Sequence, residues 1–191
     1  MKYFTFSALF FCLIKTAFTQ NVLSDSLKIE QTFSAAIGKS SVLDSLEKVI
    51  LIEARKNKHA FIMEDTYWYN LSKARFLTGE LDAAFTAAKK GMSLCEEEKK
   101  TFRTAKFINL KASIYAYQKD NKKAIYAFKT SLSILEESKD FHTAALIRNN
   151  IANIFFGLSD YHSAYEYSSA SYRQLYREKD TIHLPSVTGI L

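Results

Sequence analysis

Four histidines, His59, His142, His162 and His183, are the side chains best suited to acid–base or metal chemistry at neutral pH. Neither role works for an isolated imidazole. A catalytic base needs a nucleophile and an orienting group within reach, and a metal ion needs several ligand atoms converging on one point. His162 falls at a turn between two helical patterns and His142 near a repeat junction, and none of the four is expected to share a helix face with a second ligand. The runs Glu96–Glu98 and Glu136/Glu137 end helical patterns and read as solvated charge. Cys95 occupies an apolar slot that Leu135 and Leu175 fill in later copies, so it is expected in the core rather than as a nucleophile. The chain has no Gly-rich phosphate loop, no G-x-S-x-G and no kinase or helix-turn-helix DNA-reading signature. These residues argue against an enzyme, and no metal or cofactor is expected.

The elements that would position such side chains repeat. Ala84, Ala124 and Ala164 recur with a period of 40 (124 − 84 = 164 − 124), and the slots around them keep the same phase. Those slots are Phe85/Ile125/Tyr165, Met92/Leu132/Tyr172 and, just upstream, Glu80/Asp120/Asp160. A fixed period of this size marks a repeat architecture. Each period holds two helical stripes: Ile147, Ile151, Ile154, Phe155 and Leu158 form one, and Ala164, Tyr165, Ser168, Tyr172 and Leu175 the next. The small residues at Ala84, Ala124 and Ala164 suit a close helix crossing. With a single proline, Pro185, and five glycines, almost nothing interrupts helix from Asp25 to Asp180. The expected class is all-α, with helix pairs over Tyr67–Cys95, Phe107–Leu135 and Ile147–Leu175.

The first period carries Trp68-Tyr69-Asn70-Leu71, Gly79-Glu80-Leu81-Asp82, Ala84, Gly91 and Met92. The third carries Asn150-Ile151-Ala152, Phe155-Phe156, Asp160-Tyr161, Ala164, Ser171 and Tyr172. The second keeps Ala112, Tyr115, Asp120, Ala124 and Phe128 but has Lys111 in an aliphatic slot and Lys119 in a glycine slot. This pattern resembles the tetratricopeptide repeat (TPR), with a period longer than the roughly 34 residues usual for that family and without the proline that follows the second helix. The resemblance implies a right-handed α-solenoid of helix-turn-helix repeats at about 65–100, 105–140 and 145–180, within 62–182. A degenerate leading repeat is expected over 20–61, and the start of a further helix or a truncated end over 183–191.

In that family the first helix of each repeat lines a concave groove. Carried over by register, the groove positions are Tyr69, Lys73 and Phe76; Asn109, Ser113 and Ala116; and Asn149, Asn153 and Phe156. Residues four apart share a helix face, and an asparagine amide can both donate to and accept from an extended peptide backbone. The resemblance therefore implies a scaffold for a protein or peptide ligand. The extracytoplasmic sensor portion of a histidine kinase or transcription regulator is an alternative, and an enzyme with an unrecognised site is a third.

Residues 1–19 follow a different rule. Lys2, the apolar run Tyr3–Ile14 and the small residues Ala17 and Thr19 before Gln20 form a secretory signal peptide, too short to span about 30 Å of hydrocarbon. The expectation is an exported chain, periplasmic or secreted, with no membrane span once the leader is removed. Cys12 leaves with it, so Cys95 has no disulfide partner. The formal charge of +6 loses two positive charges with Lys2 and Lys15, and the remaining cations are mixed with acids, which argues against a nucleic-acid partner. At the far end Tyr161, Tyr165, Tyr172 and Tyr176 form an aromatic edge followed only by a short apolar tail. Self-association through Tyr165, Tyr172 and Tyr176 is expected if nothing covers that edge.

Overall fold

A computed structural model describes residues 26–56, 64–97 and 101–189. The expected leader, 1–19, lies outside them. Among the described residues there are nine α-helices and no strand. They are α1 Ser26–Ala35, α2 Ser40–Lys56, α3 Glu64–Thr78, α4 Leu81–Glu97, α5 Thr101–Tyr117, α6 Asn121–Glu137, α7 Phe141–Gly157, α8 Tyr161–Arg177 and α9 Leu184–Thr188. The all-α, solenoid-like repeat expected from the sequence is what forms: consecutive helices pack pairwise, α5 on α6 and α7 on α8 most extensively. The chain divides into two compact units between Gly91 and Met92.

The period seen in the sequence divides into two equal steps. Helices α4 to α8 are each 17 residues long and begin at Leu81, Thr101, Asn121, Phe141 and Tyr161, so the connections between them are equally short. Among the described residues, the α3–α4, α5–α6, α6–α7 and α7–α8 connections and the turn after α8 share one chemistry. Lys119, Lys139, Ser159 and Lys179 adopt left-handed backbone with φ between 56° and 63°, and Gly79 holds the same place at 91°. That conformation turns the chain so that the next N–H closes the helix: Asp120, Asp140, Asp160 and Asp180 donate backbone N–H bonds to the carbonyls of Tyr115, Leu135, Phe155 and Leu175. Three of these aspartates then cap the helix that follows. Asp120, Asp140 and Asp160 accept the backbone N–H of Lys123, Thr143 and Ser163 at 3.1–3.2 Å. One residue therefore ends a helix and starts the next. The helix pairs also run wider than the apolar stripes predicted, Thr101–Glu137 and Phe141–Arg177, because the terminal turns are held by polar caps that a hydrophobic pattern does not report.

In the unit 92–191 the core follows the expected slots. Ala124, Phe128, Leu135, Ala144, Ile147 and Ile151 form one buried cluster. Ala124 and Ala164 are almost wholly buried, as a close crossing requires. Two buried hydroxyls tie paired helices together: Ser131 Oγ donates to the Ala105 carbonyl and Ser171 Oγ to that of Ala145, each at 2.7 Å. Helix α9 packs on α8, and its Val187 is fully buried with Ala145 and Leu175 while Leu184 and Tyr172 pack against them. The aromatic edge expected to lie bare is thus covered at Tyr172, whereas Tyr165 and Tyr176 stay 58% and 65% exposed.

In the unit 1–91, helix α3 packs against α1 and α2. Its Arg75 is buried, and the guanidinium reaches Asp44 at 2.9 Å and Glu47 at 2.7 Å on α2, and Glu80 at the following turn. Burial alone would lower the pKa of Arg75, but hydrogen bonds to Asp44, Glu47 and Glu80 outweigh it and hold the charge. Among the described residues no helix is long and apolar enough to cross a membrane.

Candidate peptide-binding surface

The groove positions implied by the repeat register sit on the first helices of the pairs, α3, α5 and α7. On α3, Tyr69 and Phe76 are half-buried, and Lys73 pairs with Glu30 of α1 at 3.2 Å. Burial raises the Tyr69 hydroxyl pKa, and the Glu30 carboxylate adds to the rise. The charge of Lys73 is therefore directed at the neighbouring helix within its own unit.

On α5, Asn109 and Ser113 are half-buried and lie on one face. Ser113 Oγ donates to the Asn109 carbonyl at 3.2 Å, a bond within the helix that leaves its lone pairs outward. The Asn109 side-chain oxygen is shielded from solvent and has no hydrogen-bond partner. On α7 the matching Asn149 is buried, its amide nitrogen 3.5 Å from Ser186 Oγ on α9, and its oxygen too lacks a partner. Asn153 is exposed, and Phe156 is 47% exposed with its ring edge-on to Tyr161 at 5.7 Å. Helix α9 thus covers Asn149 and leaves Asn153 and Phe156 open. Sequence register placed all three on one accessible face. It could not show that the next helix would lie over the first of them.

A different face of α5 holds a cleft of 690 Å³ that sequence reasoning missed. Ile108, Tyr115 and Tyr126 line it together with Lys111, Lys122 and Lys123. Lys123 is anchored, bonded to Asp120 at 2.6 Å and lying 5.7 Å from the Tyr115 ring centre. The one signal of this cleft in the sequence is Lys111, standing where the repeat pattern has an aliphatic side chain that would fill the space.

The expectation that no histidine shares a helix face with a ligand fails at one place, and a second group lies between helices. His162 lies 3.5 Å from Glu166, one turn along α8. More tellingly, His142 Nε2 and His183 Nδ1 both lie 2.7 Å from the same oxygen, Asp180 Oδ2. The other oxygen of Asp180 accepts the backbone N–H groups of Ile182 and His183 at 3.0 Å. The bond from His142 leads the interactions that hold the Asp180 carboxyl well below the usual carboxylate range; those from His183 and Ile182 reinforce it. A search along single helices misses this group because His142 is 38 residues from Asp180 and reaches it only through the stacking of successive repeats.

No family model and no curated protein matches the chain. Among solved structures, the crystal structure of BtubC (BKLC) from P. vanneervenii is similar, with a TM-score of 0.65 and 20% sequence identity. The match covers 76% of this chain and 61% of that one, so the chain spans about three fifths of its length. At such identity the likeness shows the fold alone, a helical architecture common to both.

Proposed function

We propose that the chain is an exported TPR scaffold that binds a protein or peptide and performs no catalysis itself. The reading as a TPR protein is supported by helix pairs in a constant step, by the buried alanines at the crossings, and by the chemistry that the turns share. Export rests on the leader at residues 1–19. The observation that carries the binding role is the repeated asparagine of the first helices. Asn109 and Asn149 occupy the same slot one period apart, and Asn153, one turn on from Asn149, is exposed. With Asn149 covered by α9, the accessible set is Asn109 and Ser113 on α5 and Asn153 and Phe156 on α7. An extended segment would place backbone N–H groups on the amides and an apolar side chain against Phe156.

The test is selection of binders from a displayed random-peptide library on the purified chain, followed by affinity measurements on Asn109→Ala and Asn153→Ala variants. Selected peptides should weaken by about tenfold, or 1.4 kcal/mol, with each substitution. Binders indifferent to both, or a chain that selects none, would overturn the proposal.

A further inference from the structure

The two histidines converging on one carboxylate point to a site that the peptide-binding reading does not use. We propose that His142, Asp180 and His183 form a binding site for a first-row transition-metal dication of the zinc class, which pins α9 to the α7–α8 pair.

The argument is geometric. Nitrogen and oxygen ligand atoms from the three side chains lie within 4.8 Å of one another. The imidazole rings stand at 74° with centres 5.6 Å apart, so their nitrogens approach the same point from different directions instead of stacking. A tetrahedral ion with metal–ligand bonds near 2.0–2.2 Å needs donors about 3.3 Å apart. Here the nitrogens stand 2.7 Å from Asp180 Oδ2, so each ring must withdraw by only about 0.6 Å. The side chains of His142 and His183 are 44% and 42% exposed, which leaves them room to do so.

The carboxylate is held for the task. Asp180 Oδ1 is fixed by the Ile182 and His183 backbone N–H groups, so Oδ2 keeps its position whether or not an ion is bound. Without metal, each ring turns an N–H toward Oδ2. With metal, the neutral ring carries its proton on the opposite nitrogen and presents a lone pair instead. Two imidazoles and one carboxylate select a borderline ion over magnesium or calcium, which prefer oxygen cages. Three protein ligands leave a coordination position for water. Asp140, at the start of α7, does not compete for it, because its oxygens are occupied by the Thr143 amide and hydroxyl.

The experiment is titration of the full, metal-stripped chain with cobalt(II), followed by displacement with zinc(II) and, separately, with magnesium(II). The expected result is a visible ligand-field band saturating at one equivalent, abolished by zinc and untouched by magnesium, with a zinc-induced rise in Tm. His142→Ala and His183→Ala should each weaken binding by about tenfold or more. Asp180→Asn keeps a capping oxygen for the turn and should weaken binding with helical content unchanged. His162→Ala, on the exposed His162–Glu166 pair, should leave the band intact. No cobalt band and no zinc effect on Tm in the parent chain, or binding that survives the two histidine substitutions together, would overturn the site.

Discussion

The left-handed residues in the helix connections give a stability prediction of definite sign. Ser159 closes the turn between α7 and α8 with φ at 61°, a conformation that costs an L-residue about 1–2 kcal/mol. Glycine adopts it without that strain but loses more conformational freedom on folding, which returns about 0.4–1 kcal/mol. Ser159→Gly should therefore stabilise the chain by about 0.5–1 kcal/mol, a difference between those two effects. The Ser159 backbone N–H bond to Phe156 and that of Asp160 to Phe155 need no side chain at 159, so nothing else is lost. Lys119→Gly, Lys139→Gly and Lys179→Gly follow the same reasoning. They sit in separate connections, so the four effects should add to about 2–4 kcal/mol. The control is Gly79→Ala. A Cβ at Gly79 would meet nothing within 4 Å, so the backbone strain less the entropy gained should make this change destabilising by about 0.5–1 kcal/mol. Urea unfolding followed by far-UV circular dichroism reads both signs as shifts in midpoint at constant slope. A neutral or destabilising Ser159→Gly, or a stabilising Gly79→Ala, would refute the assignment of strain to these turns.

Three further outcomes follow from the packing. Ala124→Leu should cost about 1–3 kcal/mol because Ala124 is fully buried at a crossing, and Ala116→Leu less because Ala116 is only partly covered; equal melting temperatures would contradict this. Arg75→Met should cost about 1–3 kcal/mol, since the carboxylates left behind are partly hydrated and Glu47 keeps Lys90 at 3.6 Å, and a double-mutant cycle with Glu47→Gln should show positive coupling in calorimetry. Acid should weaken the chain through its caps: hydrogen bonds from the Lys123 side chain and backbone lower the Asp120 pKa, and those from Ser163 lower that of Asp160. The stability these carboxylates add is present above their ordinary pKa of about 3.9 and lost as pH falls through the depressed folded value. Denaturation midpoints of the Asp120→Asn/Asp160→Asn variant should therefore trail the parent at pH 6 and meet it in strong acid.

Much of the fold was legible in the sequence. Ala84, Ala124 and Ala164 marked the crossings, and the stripes around them the pairing, because burial at a helix contact demands small and apolar side chains at a fixed spacing. The turn chemistry was legible too, as Lys119-Asp120, Lys139-Asp140, Ser159-Asp160 and Lys179-Asp180 at equal intervals, although only alternate members stand out when the period is read as 40. Other features depend on residues that meet only when one repeat is laid on another. Arg75 finds Asp44 and Glu47 on a preceding helix, and His142 finds Asp180 across 38 residues of chain. Asn149 loses its exposure to α9 for the same reason. Periodicity along one helix reports which face is apolar. Which polar groups converge between helices is decided by how the repeats stack, and a pattern of i and i+4 carries no record of that.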